Sequence, residues 1–175
     1  IMKVELNDTN RPDLWSAAGL GRQLRVFRGG DAPRYSFFSD ATVTREHGER
    51  RVVVDPSVGD IRPWMVGFVM SGAPITEAVL KDIIQTQEKL TWNYGRKRSS
   101  IAMGVYRADL ITFPVHYRAV DPDQTRFVPL QDERELSMRE IINEHPKGRE
   151  FGHIVADLPR FPLLTDDRGG VLSFP

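Results

Sequence analysis

The chain has 175 residues, 40% of them hydrophobic, with 24 Lys plus Arg against 24 Asp plus Glu and therefore a formal net charge of zero. A protein that coats nucleic acid by charge carries a domain-wide basic excess, so any anion recognised here must be met locally. The absence of cysteine removes disulfides, thiolate zinc sites and thiol nucleophiles together.

No apolar run approaches the roughly 18 residues needed to span a bilayer, and the opening "IMKVEL" has no signal-peptide pattern. The chain is read as soluble and cytoplasmic, with one sizeable core and a small second unit. Both ends read as cut: "IMKVEL" begins as a strand without a lead-in, and "GGVLSFP" stops directly after another strand-like stretch.

In chain order, "NRPDLWSAAGLGRQLRVFRGG" (10–30) predicts a first helix, with Pro12 in its first turn, Leu14, Ala17, Ala18 and Leu24 on a partial apolar stripe, and Gly29 and Gly30 ending it. Residues 31–49 mix Gly, Pro, Ser and charge without a helical period and predict a linker, so that 1–30 ends a small N-terminal domain and 50–175 forms a larger one. In the larger part "RRVVVD" (50–55) and "WMVGFVMSG" (64–72) predict strands. Thr76 predicts the N-cap of a helix with Glu77 in its first turn and Leu80, Ile83, Ile84 and Gln87 on one face. Further strands follow at "IAMGVY" (101–106), "VHYRAV" (115–120) and "RFVPL" (126–130). In "LSMREI" (136–141) Ser137 and Glu140 form a capping box, with Leu136 and Ile141 as a hydrophobic staple. "FPLLTDDRGGVLSF" (161–174) predicts a hairpin turning at Asp166, Asp167, Arg168, Gly169 and Gly170. The alternation predicts an α+β chain.

The histidines, His47, His116, His145 and His153, stand in no ligand spacing, which predicts no metal site. Asp166 and Asp167 read as solvating turn residues. There is no nucleophile elbow, phosphate-binding loop or dinucleotide fingerprint. The basic run Arg96, Lys97, Arg98 is either a local phosphate contact or a solvated turn that complements the dipole of the preceding helix.

Successive blocks nonetheless resemble one family. "DTNRPDLWSAAGLGRQLR" (8–25), "VDPSVGDIRPW" (54–64), "IIQTQEKLTWNYGRKR" (83–98), "FVPL" (127–130), "EHPKGREFGHI" (144–154) and "FPLLTDDRGGVLSFP" (161–175) look like the phenylalanyl-tRNA synthetase β subunit of archaeal and eukaryotic type, in that family's order and over nearly the whole chain. The resemblance implies the end of an N-terminal domain followed by most of a β-rich, mixed-sheet, barrel-like editing domain with about three helices. In the family that domain hydrolyses tyrosine wrongly esterified to tRNA(Phe). Synthesis, with its ATP and Mg2+, belongs to the α subunit of an α2β2 assembly, so this stretch is expected to need no cofactor. The expected partners are the 3′ end of tRNA(Phe) and the α subunit, and no membrane.

Carried over residue by residue, the family's pattern implies that Arg98 meets the ester carbonyl or main-chain atoms of the aminoacyl group. Leu130 is implied to pack near the terminal adenosine, and Leu164 and Ser173 to line the side-chain pocket. Without the family, Leu130 and Leu164 read as core leucines and Ser173 as a strand-end serine. His145 and His153 read as structural. The sequence departs from the family at Arg107, where an acidic residue is usual, and further pocket residues of the family lie beyond "SFP". Two alternatives stand beside editing: a non-catalytic module for tRNA docking or subunit packing, and a free-standing deacylase, which "DTNRPDLWSAAG" disfavours.

Overall fold

The computed structural model describes Lys3, Glu5 and residues 10–35, 48–72 and 74–174. The chain forms two compact units, Ile1–Arg45 with Gly72–Met103 and Glu46–Ser71 with Gly104–Pro175. Each unit thus draws on two separate stretches, where a linker at 31–49 predicts consecutive pieces. Most of that linker, 36–47 with His47, lies outside the described residues.

In the first unit, the single helix expected over 10–30 is divided. Pro12–Leu14 form a 3-10 turn and α1 runs over Ala17–Phe27. The division falls at Ser16, whose backbone is extended and whose hydroxyl accepts the Gly19 N–H at 3.0 Å, an N-cap that starts a new helix. Gly29, with φ of +87°, ends it. Helix α2, Glu77–Trp92, is capped as expected by Thr76, which accepts the Val79 N–H at 3.4 Å. Its apolar stripe is not buried: Leu80 and Ile84 remain 41% and 40% exposed.

The second unit is built on a mixed sheet in the order β1-β2-β5-β6, from Val52–Val54, Val115–Val120, Phe161–Thr165 and Val171–Ser173. β1 is parallel to β2, and the other pairs are antiparallel. Among the described residues β1 and β6 are edges of this sheet. Strands β3, Arg126–Phe127, and β4, Leu136–Ser137, pair separately.

Strand β2 alternates buried and less buried residues, whereas β5 is buried at all five positions. The difference follows from what lies on each face. Leu164 joins Val58, Val115, Tyr117 and Ala119 in one cluster, while Phe161 and Leu163 join Met138 and Val155 in another. The "VDPSVG" block supplies the cover of the first cluster: Asp55 accepts the Ser57 N–H at 2.8 Å, the Ser57 hydroxyl accepts the Ala119 N–H at 3.0 Å, and Val58 is 1% exposed.

Two expected strands are absent. Residues 64–72 and 101–106 take no regular structure; Trp64, Val66 and Phe68 are 87%, 90% and 84% exposed. Strand propensity expresses packing and pairing, and neither run has a ladder partner among the described residues. The strand expected over 126–130 stops at Phe127, before Pro129.

Helix α3, Met138–Glu144, begins at the expected capping box: the Ser137 hydroxyl accepts the Glu140 N–H at 3.1 Å and the Glu140 carboxylate accepts the Ser137 N–H at 2.7 Å. Helix α4, Pro146–Phe151, follows at once, so the described residues hold four α-helices, of which α2, α3 and α4 lie within 50–174. His145, preceding Pro146, is held extended (φ −72°, ψ 137°) and separates the two. The second helix folds tightly back on the first: a Cβ at Gly148 would lie 1.8 Å from the Ile141 carbonyl oxygen, which accounts for glycine in "HPKG".

Replacing the capping hydroxyl, Ser137→Ala, should lower unfolding stability by about 1 kcal/mol in denaturant titration, with Ser137→Asp retaining most of it. Equal stability in all three proteins would show that the box does not hold α3.

Candidate functional site

Leu164 and Ser173 are brought together. They face each other as register partners across β5 and β6, beside an irregularity at Leu164 and Thr165, and Tyr117 is the partner of Leu164 on the other side. Leu164 is 8% exposed and belongs to the core, while Ser173 is half-buried. Burial raises the Tyr117 phenol above its ordinary value, with the Arg62 cation opposing.

The turn that sets this register is not a solvating one. Asp166 is 8% exposed, and its carboxylate accepts N–H groups from Gly170 at 2.7 Å, Arg168 at 3.1 Å and Thr112 at 3.2 Å. Burial opposes the charge most strongly, yet the N–H groups of Gly170, Thr112 and Arg168 together draw the carboxyl below its ordinary value. Asp167 turns outward to the His116 ring, 2.9 Å away, with both side chains partly exposed.

Leu130 lies in the same unit, on the loop after β3, and is 85% exposed, which is not the behaviour of a core leucine. Its carbonyl oxygen is 3.1 Å from Nε2 of His145, the residue joining α3 to α4. Asp132 in that loop is drawn down to about 2 by the Arg134 guanidinium and the N–H groups of Arg134 and Glu133.

Arg98 belongs to the other unit. The basic run is a left-handed turn, with φ of 49°, 54° and 71° at Arg96, Lys97 and Arg98. It folds back on the end of α2: the N–H groups of Arg98, Lys97 and Arg96 donate to the carbonyls of Thr91, Trp92 and Asn93 at 3.3, 2.9 and 3.1 Å. Left-handed backbone costs roughly 1–2 kcal/mol for each residue with a side chain, and these bonds offset it by satisfying helix-end carbonyls. Gly95 permits the fold-back, since a Cβ there would lie 2.4 Å from the Ile101 carbonyl oxygen. Arg96 and Lys97 are exposed, with the Lys97 ammonium 5.0 Å from the Trp92 ring centroid, while Arg98 is half-buried. The sequence carries no signal for the left-handed turn, because none of residues 96–98 is Gly or Asn.

Arg107, the departure from the family's pattern, forks onto the Asp109 carboxylate through Nε and Nη2, so its charge is met two residues away. An open cleft in the first unit, lined by Arg22, Arg25 and Tyr35 among others, contains none of the four expected site residues. No group of three or more His, Asp or Glu among the described residues could hold a metal ion, and no described helix is long and apolar enough to cross a membrane.

No family model matches the chain. Its homologues are phenylalanine-tRNA ligase β subunits. It is 48% identical over 175 residues to that of Borrelia turicatae, covering 99% of this chain and 30% of the relative. It is 49% identical over 176 residues to that of Treponema pallidum subsp. pallidum, covering 99% and 29%. Among solved structures it resembles an N-terminal fragment of the phenylalanyl-tRNA synthetase β subunit from Pyrococcus horikoshii, with a TM-score of 0.86 and 38% identity over 97% of this chain and 47% of that one. The chain thus spans about three tenths of the length of the curated relatives it matches.

Asp166 titrates at a lower pH in the folded than in the unfolded chain, so its contribution to stability is complete above about pH 4, the ordinary carboxylate value, and is lost as pH falls through the folded-state value. Asp166→Asn should therefore be less stable than the unmodified protein at pH 7, and denaturation measured from pH 7 downward should show the gap narrowing below about pH 4. A gap of constant size down to about pH 2.5 would contradict this role.

Proposed function

We propose that this chain is a section of a phenylalanine-tRNA ligase β subunit of the archaeal and eukaryotic type and that it carries most of the domain that hydrolyses Tyr-tRNA(Phe). The observation that carries the reading is identity near one half across 99% of the chain to β subunits. The resemblance to the Pyrococcus horikoshii fragment supports the type. In this reading residues 1–30 end the preceding domain, 31–49 link, and 50–175 carry most of a barrel-like editing domain. The α subunit and tRNA(Phe) are the partners, ATP and Mg2+ serve the α subunit, and the enzyme works in the cytoplasm.

The chemistry required is ester hydrolysis. A bound water attacks the carbonyl carbon, the negative charge gathers on the carbonyl oxygen, and collapse expels the ribose oxygen of the terminal adenosine, giving free tyrosine and intact tRNA. Arg98 is the group for the developing charge; its half-burial distinguishes it from the exposed Arg96 and Lys97, which share its turn. No general base is required of the chain if the ribose hydroxyl or the substrate amine orders the water.

Editing has a physical rationale in the asymmetry of pockets. An apolar synthetic pocket rejects an added hydroxyl by only about 10²-fold, whereas a site built to hydrogen-bond that hydroxyl rejects its absence by roughly 10⁴-fold or more. Leu164, in the core, and the half-buried Ser173, opposed across β5 and β6, set apolar packing next to a hydroxyl, as that second sieve needs. Leu130, exposed on its loop, is the contact for the terminal adenosine.

In the complete α2β2 enzyme, Arg98→Ala should slow Tyr-tRNA(Phe) hydrolysis by roughly 10²-fold or more and leave phenylalanylation unchanged. Arg96→Ala and Lys97→Ala should alter only salt-dependent affinity. Equal losses from all three would favour the docking module. Ser173→Ala should begin to hydrolyse Phe-tRNA(Phe), with the preference for Tyr falling roughly ten- to a hundredfold. Full protection of Phe-tRNA(Phe) in that variant would return Ser173 to a strand-end serine.

A further inference from the structure

His145 sits where two helices and one loop meet, and each of its ring nitrogens has a partner. Nδ1 accepts the Lys147 N–H at 3.2 Å, capping α4, and Nε2 lies 3.1 Å from the Leu130 carbonyl oxygen. The partners fix the tautomer. A backbone N–H can only donate and a carbonyl can only accept, so Nδ1 carries the lone pair and Nε2 the proton. The backbone of His145 also closes α3 by donating to the Ile141 carbonyl at 3.1 Å and accepts the Arg149 N–H at 2.9 Å. With the residue 9% exposed and Gly148 pressed against Ile141, the ring has a fixed place from which to hold something else.

What it holds is the turn carrying Leu130. That turn is closed by the Asp132 N–H on the Pro129 carbonyl at 3.1 Å and contains Gln131 in the left-handed region, φ 69°. Besides the ring of His145, the ion pair between Arg134 and Glu144 also joins the loop to the end of α3, and its side chains are 60% and 46% exposed. Exposed pairs contribute little, so the part-buried bond from the buried His145 ring is the stronger restraint. A leucine 85% exposed has no packing of its own to fix it; its backbone must be positioned from elsewhere.

We propose that His145 is a positioning residue, which through its Nε2–H holds the Leu130 turn in the place where it meets the terminal adenosine of the tRNA. This rests on the reading of Leu130 given above. The two functions of the ring can be separated by substitution. Asn places an acceptor near Nδ1 and is a favoured N-cap, but is too short to reach Leu130. Gln extends an amide toward Leu130 and is a poor cap.

The test uses the complete α2β2 enzyme, with preformed Tyr-tRNA(Phe) hydrolysis and amide hydrogen exchange at Asp132 as readouts. His145→Asn should raise KM for Tyr-tRNA(Phe) by roughly five- to tenfold with kcat retained, and speed Asp132 exchange by about tenfold. His145→Gln should keep both near the unmodified values while lowering stability. Leu130→Ala should raise KM to the level of His145→Asn, and the double variant should be no worse than Leu130→Ala alone. Unchanged KM and exchange in His145→Asn, or multiplied losses in the double variant, would overturn the proposal. A Leu130→Ala enzyme that edits normally overturns the adenosine contact and with it the positioning role, whereas faster Asp132 exchange in His145→Asn would still report the tether, so the two failures are distinguishable.

Discussion

The second unit depends on β5 being covered on both faces. A strand buried at all five positions cannot slip by one residue without exchanging Leu164 for Leu163 between two separate clusters. That constraint fixes the register of β2 on one side and, through the Asp166 turn, of β6 on the other. The opposition of Leu164 and Ser173 is a consequence of it. A side chain in the core and a hydroxyl at its margin are held by the interactions that hold the sheet, so a site built there inherits the sheet's rigidity.

The same logic separates the two loops that carry the other expected contacts. Leu130 stands on a loop whose anchor is His145, while Arg98 stands on a left-handed turn anchored to the last carbonyls of α2. In each case the exposed or half-buried side chain proposed as a contact is carried by backbone whose polar groups are satisfied locally. The strain at residues 96–98 is notable because Gly or Asn would have relieved it; non-glycine residues held there are the kind of outlier from which function is inferred.

What the sequence made legible were the local devices whose chemistry lies within a few residues: the Ser137 and Glu140 box, the Thr76 cap, the strand at 115–120 and the hairpin at 161–174. What it hid depended on distant partners. Residues 64–72 and 101–106 have strand composition without a ladder, and the Asp166 carboxylate looked like a solvating turn residue because Thr112, one of its three donors, is 54 positions away. His145 was legible only as a structural histidine, since nothing in "EHPKGREFGH" names Leu130. Only the resemblance points to the site residues: without it Leu130 reads as a core leucine, and its 85% exposure corrects that reading.

In the proposed reading the Leu130 turn and the β5–β6 hairpin are walls of one aminoacyl-adenosine site. The most direct measurement is amide hydrogen exchange on the complete enzyme titrated with tyrosyl-adenosine whose ester is replaced by an amide, compared with the phenylalanyl analogue. Exchange should slow in residues 127–133 and 161–174, more for the tyrosyl compound. Saturable binding of the tyrosyl compound with both segments unaffected would contradict it.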